Sequence, residues 1–345
     1  PCYSPLKGWK DRETGGITFR RDGTRETMEV ACGQCLGCRL DYSRMWAMRI
    51  VHEGTLYERD FGNIFVTLTY RDKRECSLSQ LADGFYIPDD WSLNKKHFRD
   101  FMKRLRKFFS PHIIRFFHCG EYGGFCEHRI DLELVGCPLC NVGRPHYHAA
   151  LFNCNFSDLE SYGSNPETGE LLYTSRTLER LWKYGFVDVA ELNFASAAYI
   201  ARYILKKVNG IRADDHYLKM DLDGNACWLQ PEYVTMSRGH RYSECSGGHV
   251  EDCRCTFGIG HGWFEKYKSD VFPSDEVPIP GVGVLKGVPR YYEEIFKEEN
   301  PLSLEQIKEV RQRFRREHAD EYTPERLRAK YEVSKAKQDT FSRSL

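Results

Sequence analysis

The chain lacks any run of 18 apolar residues, and its mean hydropathy is -0.58, which excludes a membrane-spanning helix. Its opening residues, Pro1-Cys2-Tyr3-Ser4, carry no apolar signal segment, which points away from a secreted route. Internal repeats and low-complexity tracts are missing, and 41% of the residues are apolar, so broad disorder is excluded. An excess of either charge is missing too: 50 Lys and Arg balance 50 Asp and Glu. Taken alone, that balance argues against a nucleic-acid partner, whose phosphates demand cations. The balance is uneven along the chain. Residues 95–115 hold eight Lys or Arg against one Asp, and Arg202, Lys206 and Lys207 form a second cationic group. Acids gather near Asp131–Glu133, Asp214–Asp223 and residues 270–300. The neutral total is therefore a cationic surface in acidic surroundings, and it predicts modest, salt-sensitive affinity for DNA.

Cysteine is plentiful, with 14 among 345 residues. Without an export signal, so many cysteines point to metal ligands sooner than to disulfides. Cys32-x-x-Cys35-x-x-Cys38 has tight-turn ligand spacing, and Cys2 completes a set of four. Four thiolates suit zinc; an iron–sulfur cluster, or free thiols packed beside a helix, fit the same spacing. Two further groups are Cys119, Cys126, Cys137 and Cys140, and Cys245, Cys253 and Cys255 with His249.

The length suggests about two domains, or one with large insertions. Periodicity predicts helices at 39–53, 95–109, 176–184 and 195–208, and strands at 64–70, 113–117 and 145–153. This order is that of an α+β domain with an antiparallel sheet. From about residue 265 to 302, Pro273, Pro278, Pro280 and Pro289 among Gly and acidic residues read as a loop or linker, and 303–337 as a mixed-charge helix, exposed or docked lightly on a partner. In the 95–109 helix the cations, with Arg115, fit phosphate binding; a solvated charged face is the plainer alternative.

Arg144-Pro145-His146-Tyr147-His148 opens a strand, so His146 and His148 project from one face about 7 Å apart. They fit either a shared metal ion or a solvated sheet face. Glu121, in Gly120-Glu121-Tyr122-Gly123 at the end of the preceding strand, is a candidate third ligand or a surface turn carboxylate. Two imidazoles and a carboxylate with open positions suit a hard divalent cation that also meets a phosphate oxygen. Tyr199 and Tyr203 are four apart on a predicted helix and so share a face, as nucleophiles or as a packing stripe. A phenol ionises only near pH 10, so a metal, or a cation such as Lys206 or Lys207, is needed to make one attack phosphorus at neutral pH.

Together, Phe65-Val66-Thr67-Leu68-Thr69-Tyr70, His146-Tyr147-His148 and the Tyr199/Tyr203 helix resemble the three motifs of rolling-circle replication initiators, the HUH endonucleases. The closer resemblance is to the gokushovirus replication initiators of the microvirus group. Cys32–Arg39, Cys119–Gly123, Gly143–His148, Pro231–Arg238 and Gly258-Ile259-Gly260 before Trp263-Phe264 carry that similarity over residues 1–295. The resemblance implies an antiparallel-sheet endonuclease core at 61–264 with helices on the sheet. A Cys-cluster region at 1–60 precedes it, and a linker and helical extension at 265–345 follow. It implies Mg²⁺ or Mn²⁺ at the His pair, tyrosine attack on single-stranded DNA at a hairpin origin, a 5′-phosphotyrosine link and a free 3′-OH. It also implies host helicase and polymerase as partners in the bacterial cytoplasm.

Two stretches depart from the family pattern, 124–142 and 240–257. Each is poor in apolar residues and carries metal-ligand residues: Cys126, His128 (or Cys119), Cys137 and Cys140 in the first, and Cys245, His249, Cys253 and Cys255 in the second. Structural zinc is the expectation for both. Two other readings remain: a non-catalytic multi-zinc nucleic-acid-binding protein, and a relaxase or transposase of the same fold.

Overall fold

The computed structural model describes residues 2–10, 16–20, 27–124, 143–165, 169–202, 207–208, 210, 212–220, 224–238 and 257–343. Strands β1 (Leu6–Lys10), β2 (Ile17–Thr18) and β3 (Thr27–Val30) precede helix α1 (Leu36–Thr55). Then come β4 (Asn63–Thr69), α2 (Leu78–Asp83), α3 (Lys95–Phe108), β5 (Arg115–Tyr122), β6 (Pro145–Phe152), β7 (Leu159–Ser164), β8 (Leu171–Ser175), α4 (Arg176–Trp182), β9 (Val187–Glu191) and α5 (Phe194–Arg202). The chain continues with α6 (Arg212–Tyr217), β10 (Leu218–Met220), β11 (Ala226–Trp228), β12 (Tyr233–Met236) and α7 (His261–Val271). It closes with β13 (Glu276–Ile279), β14 (Gly283–Lys286), α8 (Arg290–Glu299), α9 (Pro301–Glu317) and α10 (Pro324–Arg343). Two units result, one of residues 46–294 and one of residues 1–45 with 295–345.

The 46–294 unit is built on a seven-stranded sheet of order β12-β5-β6-β4-β9-β8-β7, antiparallel at every pairing. The chain is thus α+β, as its pattern of elements predicts. In α3 the apolar residues recur every three to four positions, and Phe98, Phe101, Met102 and Leu105 are all buried. They join Val66, Leu68, Tyr147 and Trp182 in one core on one face of the sheet. Burying each such side chain contributes about 1.5–3 kcal/mol. The Tyr147 hydroxyl ties the start of α3 to β6: it donates to Asn94 O at 3.0 Å and accepts from Asn94 N–H at 2.9 Å. On the opposite face, Trp46 of α1 packs on Phe117 of β5, and Tyr199 of α5 packs on Phe65 of β4. The central strands are therefore covered by helices on both sides.

Several expectations need correction. Residues 265–302, expected as a linker, hold most of α7, the β13–β14 hairpin and α8, with Val271, Phe272, Val277, Ile279, Val288 and Tyr292 buried. The helix expected over 195–208 spans Phe194–Arg202, and residues 207–208 are not helical. The 303–337 helix is two, α9 and α10, broken at 318–323. Arg115, expected at a phosphate-binding surface, is buried and pairs with Glu53 at 2.9 Å.

In the other unit, β1–β3 form a sheet of order β2-β1-β3. Among the described residues of this unit no apolar side chain of 2–45 is buried, and the buried apolar ones are Leu304, Ile307 and Leu327. Tyr3 docks on α10 through its hydroxyl, 2.6 Å from Ser334 Oγ, and its ring, edge-on to Tyr331.

Candidate active site

Strand β6 lies between β5 and β4, and its register decides which side chains meet. His146 stands opposite Glu121 on one side and Thr69 on the other; His148 stands opposite Cys119 and Thr67. Alternation puts His146 and His148 on the face away from Tyr147. Both Nε2 atoms lie 2.8 Å from Oε1 of Glu121. Glu121 and His148 are buried, while His146 keeps some exposure. On the far ring edges, His146 Nδ1 meets Arg144 O at 3.1 Å and His148 Nδ1 meets Thr67 Oγ1 at 2.9 Å.

These contacts test whether a cation fits. A carbonyl oxygen can only accept, so His146 Nδ1 must carry a proton and donate it. In the neutral ring Nε2 is then a lone-pair acceptor facing a carboxylate oxygen, a second acceptor. Such a contact at 2.8 Å needs a shared cation, which is either a proton or a metal ion. The three donor atoms all lie within 4.8 Å of one another, the span of one coordination sphere. Burial by itself would raise the Glu121 carboxyl. Where the shared cation is a proton, hydrogen bonds from His146 and His148 outweigh it and hold the carboxyl well below the usual carboxylate range.

Tyr199 reaches this face from α5. The helix starts because Asn193 and Ser196 cap one another: Asn193 Oδ1 accepts from Ser196 N–H, and Ser196 Oγ accepts from Asn193 N–H, each at 2.9 Å. Ser196, Ala197, Ile200 and Ala201 form its buried face, which leaves Tyr199 half-buried at the margin. The Tyr199 ring stands edge-on to His148, 5.2 Å between centroids, with the Arg202 guanidinium 5.9 Å from its centre. Tyr203 and Lys206 lie outside the described residues, and Lys207 is exposed. The basic helix α3 packs on the other face of the sheet, through Phe98 stacked on His118. Two of its cations are committed to the fold: Arg104 donates to the carbonyls of Leu181 and Trp182, and Arg106 to that of Ile114.

A second candidate metal group lies in the other unit. The Sγ atoms of Cys2, Cys32, Cys35 and Cys38 are within 4.8 Å of one another. Burial would raise the Cys35 thiol, but backbone N–H donors from Cys38 and Tyr3 bring it down to about 6; burial pushes the Cys38 thiol up. Cys126, His128, Cys137, Cys140, Cys245, His249, Cys253 and Cys255 lie outside the described residues. Cys119, the alternative to His128, is fully buried in β5. Thr67 and the Arg144 carbonyl were not singled out by sequence reasoning; the register of β4 against β6 is the signal that finds Thr67.

A family model described as Replication-associated protein ORF2/gene-2 protein matches residues 63–208, the segment from β4 through α5. Over 292 residues the chain is 31% identical to replication-associated protein ORF2 of Spiroplasma virus 4, covering 82% of this chain and 73% of that protein. Over 305 residues it is 28% identical to replication-associated protein VP4 of Bdellovibrio phage phiMH2K, covering 87% of this chain and 78% of that protein. Replication-associated protein ORF4 of Chlamydia phage 1 is 25% identical over 290 residues, 81% of this chain and 57% of that protein. No solved structure matches. No helix among the described residues is long and apolar enough to cross a membrane. On this similarity, the chain belongs to the ORF2/gene-2 family of phage replication-associated proteins.

Proposed function

We propose that the chain initiates rolling-circle replication of a phage genome by cutting single-stranded DNA at a hairpin origin, with Tyr199 and Tyr203 as alternating nucleophiles. One observation carries this reading: Glu121, His146 and His148 converge on one point, and Tyr199 packs against His148. Family membership supports the replication role.

A Mg²⁺ or Mn²⁺ ion held by Glu121, His146 and His148 would, when bound, draw negative charge from the scissile phosphodiester. Tyr199 Oη attacks phosphorus in line with the 3′-oxygen. The Oη–P bond forms as the P–O3′ bond breaks, and the phenol proton ends on the leaving 3′-oxygen. The products are a 5′-phosphotyrosine and a free 3′-OH. The phosphoester bond is conserved, so no ATP is consumed. Arg202, Lys206 and Lys207 favour the phenolate form next to the phosphate. The 3′-OH primes a host polymerase while a host helicase opens the duplex, in the cytoplasm of the bacterium. Tyr203, four residues on, cuts the regenerated origin while Tyr199 still holds the first 5′ end. The freed 3′-OH then attacks the phosphotyrosine and closes a circle.

The test is a covalent-adduct assay on end-labelled, single-stranded origin DNA with Mn²⁺. The native protein forms an adduct that survives denaturing electrophoresis. The Tyr199→Phe, Tyr203→Phe double variant does not, and neither does His146→Ala, His148→Ala. An adduct with the double tyrosine variant would refute the assignment. Tight DNA binding without cleavage under every divalent metal would favour the non-catalytic, multi-zinc reading.

A further inference from the structure

The thiols of Cys2, Cys32, Cys35 and Cys38 take no part in the cutting chemistry. They come from three pieces of backbone: the segment before β1, the turn after β3 and the start of α1. We propose that these four thiolates hold one Zn²⁺ ion, and that this ion takes the place of an apolar core for residues 2–45.

The sulfur geometry favours a single ion. Zinc–thiolate bonds of about 2.3 Å in a tetrahedron put the sulfurs about 3.8 Å apart. The Sγ atoms of Cys2 and Cys35 are 3.8 Å apart, and all four lie within 4.8 Å. An iron–sulfur cluster places its thiolates around a larger inorganic core and spreads them further. The backbone is arranged for anionic sulfur. Tyr3 N–H donates to Cys35 Sγ at 3.2 Å, Cys32 N–H to Cys2 Sγ at 3.3 Å, and Cys35 N–H to Cys32 Sγ at 3.2 Å. Four thiolates on a divalent ion carry two surplus negative charges, and such donors offset them. None of the four is in a disulfide.

Energetics point the same way. Leu6, Ile17, Phe19 and Met28 are exposed, and no apolar side chain among the described residues 2–45 is buried. A small three-stranded sheet without a core does not hold its shape in water, and a structural metal supplies the missing folding energy. The ion would also fix what lies beside each ligand. Tyr3 follows Cys2 and docks on α10 at Tyr331 and Ser334. The Cys35 carbonyl accepts from the Arg39 N–H in the first turn of α1. One ion thus sets the start of α1 and the seat of residue 3 on α10.

Other Cys and His groups in the chain are candidate zinc sites, so the test works by difference on the full chain. Elemental analysis should give one zinc equivalent fewer in Cys35→Ser, Cys38→Ser than in the parent. Hydrogen exchange should accelerate across residues 2–38 and around Tyr331–Ser334, while β4–β6 stay protected. Cys2→Ser is a milder variant: its Co²⁺-loaded form should lose part of the thiolate-to-cobalt charge-transfer band of the Co²⁺-loaded parent. Equal zinc in parent and double variant, iron with a cluster's visible absorption, or an unchanged cobalt spectrum in Cys2→Ser would each overturn the site. Unchanged exchange at 2–38 would overturn its role as a core. None of these readouts involves DNA cleavage, so failure here is separable from failure of the endonuclease reading.

Discussion

Thr67 touches His148 on the ring edge away from Glu121, at 2.9 Å from Nδ1. A hydrogen bond there decides which nitrogen carries the ring proton and how the ring is turned toward a metal. Thr67→Val keeps the shape of the side chain and removes only the oxygen. We expect Mn²⁺ affinity to fall about 10- to 100-fold, with Thr67→Ser close to the parent. Titration of Mn²⁺ followed by its electron paramagnetic resonance signal checks this; equal affinity in Thr67→Val would show that the contact does not orient the ring. The residue scale also shows what a sequence reveals of a site. His146, His148 and Glu121 were legible because strand alternation puts the histidines on one face and a carboxylate at the end of the preceding strand is easy to propose. Thr67 was not, because the partner across a strand pair depends on register. Arg115 was misread because an arginine looks the same whether it faces water or, as here, the buried Glu53 carboxylate on another element.

At the scale of elements, the placement of Tyr199 depends on where α5 begins. Losing the mutual cap of Asn193 and Ser196 leaves N–H groups of the first turn unsatisfied. Asn193→Ala should cost about 1 kcal/mol of stability and slow adduct formation by Tyr199, while Asn193→Ser, also a good capping residue, restores most of both. Urea denaturation and adduct kinetics measured on the same samples check the pair; an unaltered adduct rate in Asn193→Ala would separate the cap from the nucleophile. Elements with one strong period were readable in advance: α3 for its four buried apolar positions, and β4 and β6 for their β-branched and apolar runs. β7 and β8 were missed, since β7 is the exposed edge strand, β8 beside it is only partly buried, and both show little apolar alternation. The 265–302 region was misread because Pro278 and its neighbours look like linker residues. In a two-stranded hairpin one edge of each strand needs no ladder hydrogen bond, so β13 accommodates Pro278, whose carbonyl accepts from His52 Nε2 at 3.0 Å.

At the scale of the whole molecule, the titratable groups most displaced by folding include buried histidines. His52 stacks on Trp263, donates from Nε2 to Pro278 O, and accepts at Nδ1 from the Tyr292 hydroxyl at 2.9 Å. The neutral ring satisfies both nitrogens, and burial lowers its pKa to about 4. Burial also lowers His97 to about 4 and brings His118 and His261 below the ordinary histidine value. The sign follows from where the proton binds more tightly. An unfolded histidine takes it up near pH 6.5, a folded one only at lower pH, so the unfolded state binds more protons between the two values. Stability is therefore whole above about pH 6.5, falls as the pH drops, and this contribution is lost by about pH 4. For His52 the displacement corresponds to on the order of 3 kcal/mol; His97, more open to solvent, contributes less. Urea midpoints should thus start to fall near pH 6.5, before the carboxylates titrate. His52→Gln keeps one donor and one acceptor at nearly the same reach and cannot take a proton. Its stability should decline less steeply with acid than that of the parent. A parent midpoint that stays level from about pH 8 to about pH 5 would rule out buried neutral histidines as the source of acid sensitivity.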